Sequence, residues 1–200
     1  LERKLIYNTH AMKIGVLSDS HKNIRNLKKA FEYLRDVENI DLAIHLGDDY
    51  SDVKAIEGFS LPLFGAKKVP VIKIPGVYDP EYKDPKITNR MIKEYDGWKV
   101  LITHSPNRHE NDLPDDVDPD MASQSLGVNI ILHGHTHMPR IEERGNIFFI
   151  NPGHLKDDDK KGSPPTFAVL EVSREEIQVR IIGLMDHKLM DKFSILSVTE

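Results

Sequence analysis

Apolar residues fall along this chain in short, β-branched runs, and most of these runs end in polar or charged side chains. Ile14 to Leu17 predicts a strand that delivers Ser18, Asp19, Ser20 and His21 at its C-terminal end. Ile24, Leu27, Ala30, Phe31 and Leu34 then recur every three or four residues, with Arg25, Lys28, Lys29 and Glu32 opposite, which is the stripe of an amphipathic crossover helix. Asn23 is read as its N-cap. Asp41 to Leu46 is the next strand and ends in Gly47-Asp48-Asp49. Ser51 to Glu57 suits a short helix, Leu61 to Lys68 a loop, and Val69 to Ile74 a third strand that breaks at Pro75-Gly76. Residues 81–97 are charged and weakly periodic, with no element assigned.

Trp98 to Thr103 predicts a strand ending in His104-Ser105-Pro106. The acidic stretch 107–120, with prolines at 106, 114 and 119, reads as a loop, either a solvated one or a lid beside whatever His104 serves. Met121 to Leu126 is a short helix, and Val128 to Leu132 is a buried strand that empties into His133-Gly134-His135-Thr136-His137. Asn146 to Ile150 leads into the turn Asn151-Pro152-Gly153-His154, and Asp157 to Gly162 reads as a charged surface loop. Thr166 to Val172 and Glu176 to Ile182 alternate as a β-hairpin does. Strands alternating with helical segments make the fold class α/β.

Composition narrows the field. Two hundred residues with 39% hydrophobic content suffice for one domain with a real core, expected over 12–200. Leu1 to Ala11 precede Met12 and are read as an N-terminal extension or a cloning remnant, outside the fold argument. The absence of cysteine excludes disulfides and thiolate ligands, so any metal must be held by imidazole, carboxylate or amide. A net charge of −5 disfavours long nucleic acid as the main partner. No apolar run reaches the roughly 20 residues of a membrane span, so no membrane partner is expected and the protein is placed in the cytoplasm. Whether copies associate into a homo-oligomer is left open.

The chemistry lies in a coincidence. Asp19 and His21, Asp48, His104, and His135 with His137 all fall at the C-terminal ends of separate predicted strands. In α/β sheets that edge is where loops converge and sites assemble. If the chain stays extended, Asp19 and His21 project the same way. Two carboxylates and four imidazoles suit divalent ions such as Mn²⁺, Fe²⁺, Co²⁺, Ni²⁺ or Zn²⁺. Six groups exceed the needs of one tetrahedral ion, whereas a carboxylate bridging two ions about 3.5–4 Å apart would use them all.

The ordered set Asp19-Ser20-His21, Gly47-Asp48, Gly76-Val77-Tyr78-Asp79, Thr103-His104 and Gly134-His135-Thr136-His137, followed by Asn151-Pro152-Gly153, resembles the calcineurin-like metallophosphoesterases. Within them it looks most like the small bacterial and archaeal phosphodiesterases, over about Met12 to Gly153. The resemblance implies a four-layer α/β/β/α sandwich with a dinuclear site at one edge. Asp19, His21 and His137 would hold one ion, His104 and His135 the second, and Asp48 would bridge them.

Two departures matter. The family's third motif has an asparagine ligand after its glycine, followed in many members by a histidine near the leaving group; here Val77 and Tyr78 stand instead. Valine cannot ligate, so the second site is expected to be weak or completed by water, with the Tyr78 phenol or the Asp49 or Asp79 carboxylate as substitutes. His154 stands where the small branch tends to have serine, and it or His109 is a replacement proton donor. Asp48, Tyr78 and His154 are therefore the candidate catalytic residues. The resemblance implies hydrolysis of a small phosphoester or nucleotide-like substrate, a diester by preference, through in-line attack by a metal-activated hydroxide. The alternatives are a phosphomonoesterase or nucleic-acid hydrolase of the same superfamily, or a catalytically reduced docking scaffold like the retromer subunit that shares the fold, the drift that Val77 favours.

Overall fold

The computed structural model describes residues 11–57 and 68–197. The expected loop from Leu61 thus lies outside the described residues except for Lys68, as does most of the N-terminal stretch. The element order is β1 (Met12–Leu17), α1 (Ile24–Asp36), β2 (Leu42–His45), α2 (Lys54–Glu57), β3 (Val71–Lys73), β4 (Met91–Tyr95), β5 (Trp98–Ile102), α3 (Pro119–Leu126), β6 (Ile130–Leu132), β7 (Arg140–Arg144), β8 (Ile147–Asn151), β9 (Thr166–Val172), β10 (Glu176–Gly183) and β11 (Leu189–Leu196). Short 3-10 turns cover Tyr50–Val53 and Pro80–Lys83.

These strands form two sheets. One runs β11-β10-β9-β1-β2-β3 and the other β4-β5-β6-β8-β7. In the first, β1, β2 and β3 are parallel; in the second, β5, β6 and β8 are. Alternation along the strands explains the layering. Ile14 and Val16 of β1, Leu42 and Ile44 of β2, Val100 and Ile102 of β5 and Ile130 and Leu132 of β6 share one apolar core between the sheets. The other face of β1 and β2 presents Leu17 and Ala43 to Leu27, Ala30, Phe31 and Leu34 of α1. Leu101 and Ile131 meet Ala122 of α3 on the outside of the second sheet. The result is the expected α/β/β/α sandwich.

Local chemistry sets the helix boundaries. The Asn23 side chain accepts from Asn26 N–H at 3.1 Å and caps α1, as expected. Gly15 faces that helix, and a Cβ there would stand 2.8 Å from Leu34 Cδ1, so a larger residue would require Leu34 and Ile40 to shift. Asp118 caps α3, which ends on Gly127 in the left-handed region, φ 66°.

Three strands escaped the hydrophobic pattern. β4 lies inside the stretch 81–97, β7 precedes the Gly145 turn into β8, and β11 edges the first sheet. All three are sheet edges, where one flank is unpaired and strict alternation of apolar and polar residues is not required. A turn signal marks the first: Asp96-Gly97, with both φ positive, joins β4 to β5.

Candidate metal centre

Parallel strands point their C-terminal ends the same way, so the loops after β1, β2, β3, β5, β6 and β8 meet at one edge of the sandwich. There the chain does not stay extended. Asp19, His21, Asp48, His135 and His137 all have positive φ, between 46° and 65°. Such backbone strain in residues other than glycine persists only where the surroundings over-determine it. Close approach is secured by glycine: a side chain at Gly76 would collide with the Asp48 carboxylate, and one at Gly134 with Ser18 and Asp19.

Donor atoms of Asp19, His21, Asp48 and His137 all lie within 4.8 Å of one another. His137 Nε2 is 3.1 Å from Asp19 Oδ1 and 3.0 Å from His21 Nε2, and His21 Nε2 is 3.5 Å from Asp48 Oδ2. The other carboxylate oxygen, Asp48 Oδ1, faces His104 Nε2 at 3.4 Å. His135 sits further out, its ring centroid 5.2 Å from that of His104. Its backbone N–H donates to Asp19 Oδ2 at 3.1 Å, and Ser18 Oγ donates to the same oxygen at 2.5 Å.

Three observations fit this cluster to a divalent cation. Ligands held about 2.0–2.2 Å from a metal stand about 3–4 Å apart, which is the spacing found. Asp19 Oδ1 and His104 Nε2 are buried without a hydrogen-bond partner, a costly state unless something else satisfies them. The imidazoles are also turned the right way. His104 Nδ1 donates to the Leu46 carbonyl at 2.7 Å and His137 Nδ1 to Asp159 Oδ1 at 2.8 Å, which leaves both Nε2 lone pairs facing the cluster.

Electrostatics agree. Burial opposes charge on His104, yet the facing Asp48, the charge of Asp19 and the Leu46 carbonyl outweigh it and push the imidazole up to about 9. Asp19 is likewise held well below the usual carboxylate range, because His137, His104 and Ser18 overcome the desolvation that would raise it. His135 is lowered by burial and by the charge on His104. The His104 and Asp19 shifts point the same way: the carboxylates and imidazoles of this pocket favour positive charge at its centre.

Asp159 is the residue that sequence reasoning missed. It belongs to the stretch expected to be a charged surface loop, yet its side chain is 4% exposed, and it takes Nδ1–H of His137 and, at 3.1 Å, Lys156 Nζ. One of three consecutive aspartates in a charged loop carries no sequence signal for this.

The remaining candidates separate. Val77 is fully buried and offers no donor atom from its side chain. Tyr78 is 69% exposed at the rim, its ring 6.2 Å from His135 and 5.4 Å from His109. Asp79 turns inward instead, accepting from Gly76 N–H at 2.7 Å and Tyr50 N–H at 3.0 Å. His154 is buried with both nitrogens engaged: Nδ1 accepts from Lys156 N–H at 3.1 Å and Nε2 donates to the Ser163 carbonyl at 3.0 Å. It braces the loop that carries Asp159 and has no nitrogen left for a substrate. His133 packs behind the cluster, with Nδ1 3.1 Å from the Gly134 carbonyl.

Nor is the acidic loop simply solvated. Asp112 is 5% exposed in its side chain and pairs with the buried Arg90 at 2.8 Å, while Arg90 Nε donates to Thr103 Oγ1, beside His104, at 3.0 Å.

Fold and site together place a cluster of metal-ligating side chains at one edge of an α/β/β/α sandwich. Residues 12–175 match the sequence profile of the calcineurin-like phosphoesterase superfamily domain, and the chain belongs to that family. It is similar to phosphodiesterase MJ0936 of Methanocaldococcus jannaschii, 29% identical over 170 residues that cover 82% of this chain and 96% of that protein. Among solved structures, YfcE, a phosphoesterase from E. coli, superposes with a TM-score of 0.64 at 20% identity, over 91% of this chain and 98% of YfcE. Vacuolar protein sorting 29 of Cryptosporidium parvum gives 0.65 at 18% identity, over 94% and 100%, and so shares the fold. Among the described residues no helix is long and apolar enough to cross a membrane.

Proposed function

We propose that this protein is a divalent-metal-dependent phosphodiesterase of small phosphoester or nucleotide-like substrates, acting in the cytoplasm as the single domain 12–200. The observation that carries the reading is the convergence of Asp19, His21, Asp48 and His137, with Asp19 Oδ1 and His104 Nε2 buried without hydrogen-bond partners, in a chain of this family. Similarity to a protein named a phosphodiesterase supports the diester preference.

In this reading Asp19, His21 and His137 would hold one cation and His104 and His135 a second, with Asp48 offering one oxygen toward each group. The divergent aim of the two Asp48 oxygens, one toward His21 and one toward His104, supports a bridge. The second position is the weaker, because Val77 supplies no oxygen donor. Bound divalent ions would supply Lewis-acid charge opposite the phosphoryl oxygens and lower the pKa of a water. The chain's own part is orientation: Asp159 and the Leu46 carbonyl hold two imidazoles in their ligating tautomer, and the strained loops keep the carboxylates converged before substrate arrives.

The test is hydrolysis of bis(p-nitrophenyl) phosphate with Mn²⁺ or Ni²⁺, beside His135→Ala and Asp48→Asn, with metal content measured on each. Expected is metal-dependent turnover that falls at least about 100-fold in Asp48→Asn, on the scale of one lost transition-state contact. Turnover without metal, or surviving both substitutions, sinks the reading. A second reading, a scaffold of reduced activity, rests on Val77; zero or one ion per chain with no turnover would favour it.

A further inference from the structure

Breaking a phosphodiester leaves charge on the departing oxygen, and a group at the rim must meet it. His154 has no free nitrogen, and the exposed Tyr78 ring leans on its neighbours. His109 is different. Its ring lies edge-on to both Tyr78, at 5.4 Å, and His135, at 6.0 Å, so it lines the same opening as the candidate ligand His135. Its Nδ1 accepts the Asn111 backbone N–H at 3.2 Å. A neutral imidazole whose Nδ1 accepts carries its proton on Nε2. That is the opposite tautomer from His104 and His137, whose Nδ1 atoms donate and whose Nε2 lone pairs face the cluster. Among the described residues, Nε2 of His109 has no partner.

The loop is built to hold this ring. Asp112 accepts His109 N–H at 2.9 Å and is itself gripped by Arg90 through both terminal nitrogens, at 2.8 and 2.9 Å, and by Tyr82 Oη at 2.6 Å. On the other side, Asn111 Nδ2 donates to the Val77 carbonyl at 2.9 Å, tying the loop to the segment after β3. A solvated acidic loop would need none of these buried anchors.

We propose that His109 donates a hydrogen bond from Nε2 to the leaving-group oxygen of the phosphodiester. This rests on the phosphodiesterase reading. The water oxygen forms the new P–O bond and gives one proton to solvent. The ester P–O bond breaks, its electron pair stays on the departing oxygen against Nε2–H, and that oxygen takes a solvent proton on release. Diester and water become monoester and alcohol, and His109 ends in the form in which it began. A neutral imidazole N–H in this electrophilic role has precedent in isomerase chemistry.

The experiment compares methyl p-nitrophenyl phosphate, whose leaving group is good, with methyl phenyl phosphate, whose leaving group is poor, in the Mn²⁺-loaded full chain. The variants are His109→Ala and His109→Asn; the asparagine oxygen can still accept the Asn111 N–H, so the turn is kept. Expected is a fall in kcat of about 100-fold or more on the phenyl ester against less than about fivefold on the activated ester, as for removal of one oxyanion donor. Metal content and thermal midpoint should match the parent. An equal loss on both esters, a loss of bound metal, or no loss on either overturns the role of His109 alone. If the parent chain hydrolyses neither ester with metal present, the phosphodiesterase reading fails and this inference falls with it.

Discussion

The carboxylate of Asp159 accepts the Nδ1 proton of His137 at 2.8 Å, while Nε2 of the same ring stands 3.1 Å from Asp19. One imidazole thus links a surface-loop acid to the buried centre. His137 is raised by its contact with Asp19, against the cost of its own burial and with help from Asp159. Asp159→Asn keeps the shape but loses the charge that makes the ring a better ligand. Expected is a 10- to 100-fold weaker affinity for Mn²⁺, the usual cost of losing such an outer partner, measured by titration calorimetry of the metal-free protein. Unchanged affinity would show that Asp159 only packs the loop.

Val77→Asn puts a polar amide at a fully buried position. Without metal it should lower stability by about 1–3 kcal/mol, the cost of an unsatisfied buried polar group. With Mn²⁺ the loss should shrink and metal content per chain should rise, if the amide oxygen completes the second position. Denaturant curves with and without the ion check this; an equal loss in both would mean that the amide reaches no cation.

Arg90 and Asp112 form a buried pair, 1% and 5% exposed. Arg90→Met strands the Asp112 carboxylate, and the cost should be about 3–5 kcal/mol. The double change Arg90→Met with Asp112→Leu should recover part of it, since no charge is left unpaired. Urea unfolding of the four proteins gives the coupling, and a cycle that sums to zero would argue against the pair.

His45 is fully buried between Ser20 and Gly47, and burial lowers it to about 4, with nearby carboxylates opposing and His104 assisting. Between pH 4 and the unfolded value near 6.5 the unfolded chain binds the extra proton, so stability rises with pH through that window and is lost on acidification. The difference corresponds to about 3 kcal/mol. His45→Asn in metal-free protein should flatten the pH dependence of unfolding between 4 and 6.5 by about one proton. An unchanged slope would place the titration elsewhere.

Much of this was legible in the one-dimensional pattern. The stripe of α1 and the polar ends of the parallel strands follow from periodicity, because a buried strand needs continuous apolar side chains and its end marks where the chain leaves the core. Gly134 before His135 could be read as a turn, though the clash with Ser18 and Asp19 that forbids a side chain there could not.

Asp19, His21, Asp48, His104, His135 and His137 could be picked out from the chain alone because local rules place each one just beyond a strand. Their convergence, the outward position of His135, the recruitment of Asp159 and the pinning of His109 by Arg90 and Asp112 all depend on contacts between segments far apart in sequence. The partners 22 residues apart in both His137–Asp159 and Arg90–Asp112 share no periodicity. Hydrogen-bond direction, and with it which nitrogen of each imidazole faces the cluster, exists only once those segments have packed.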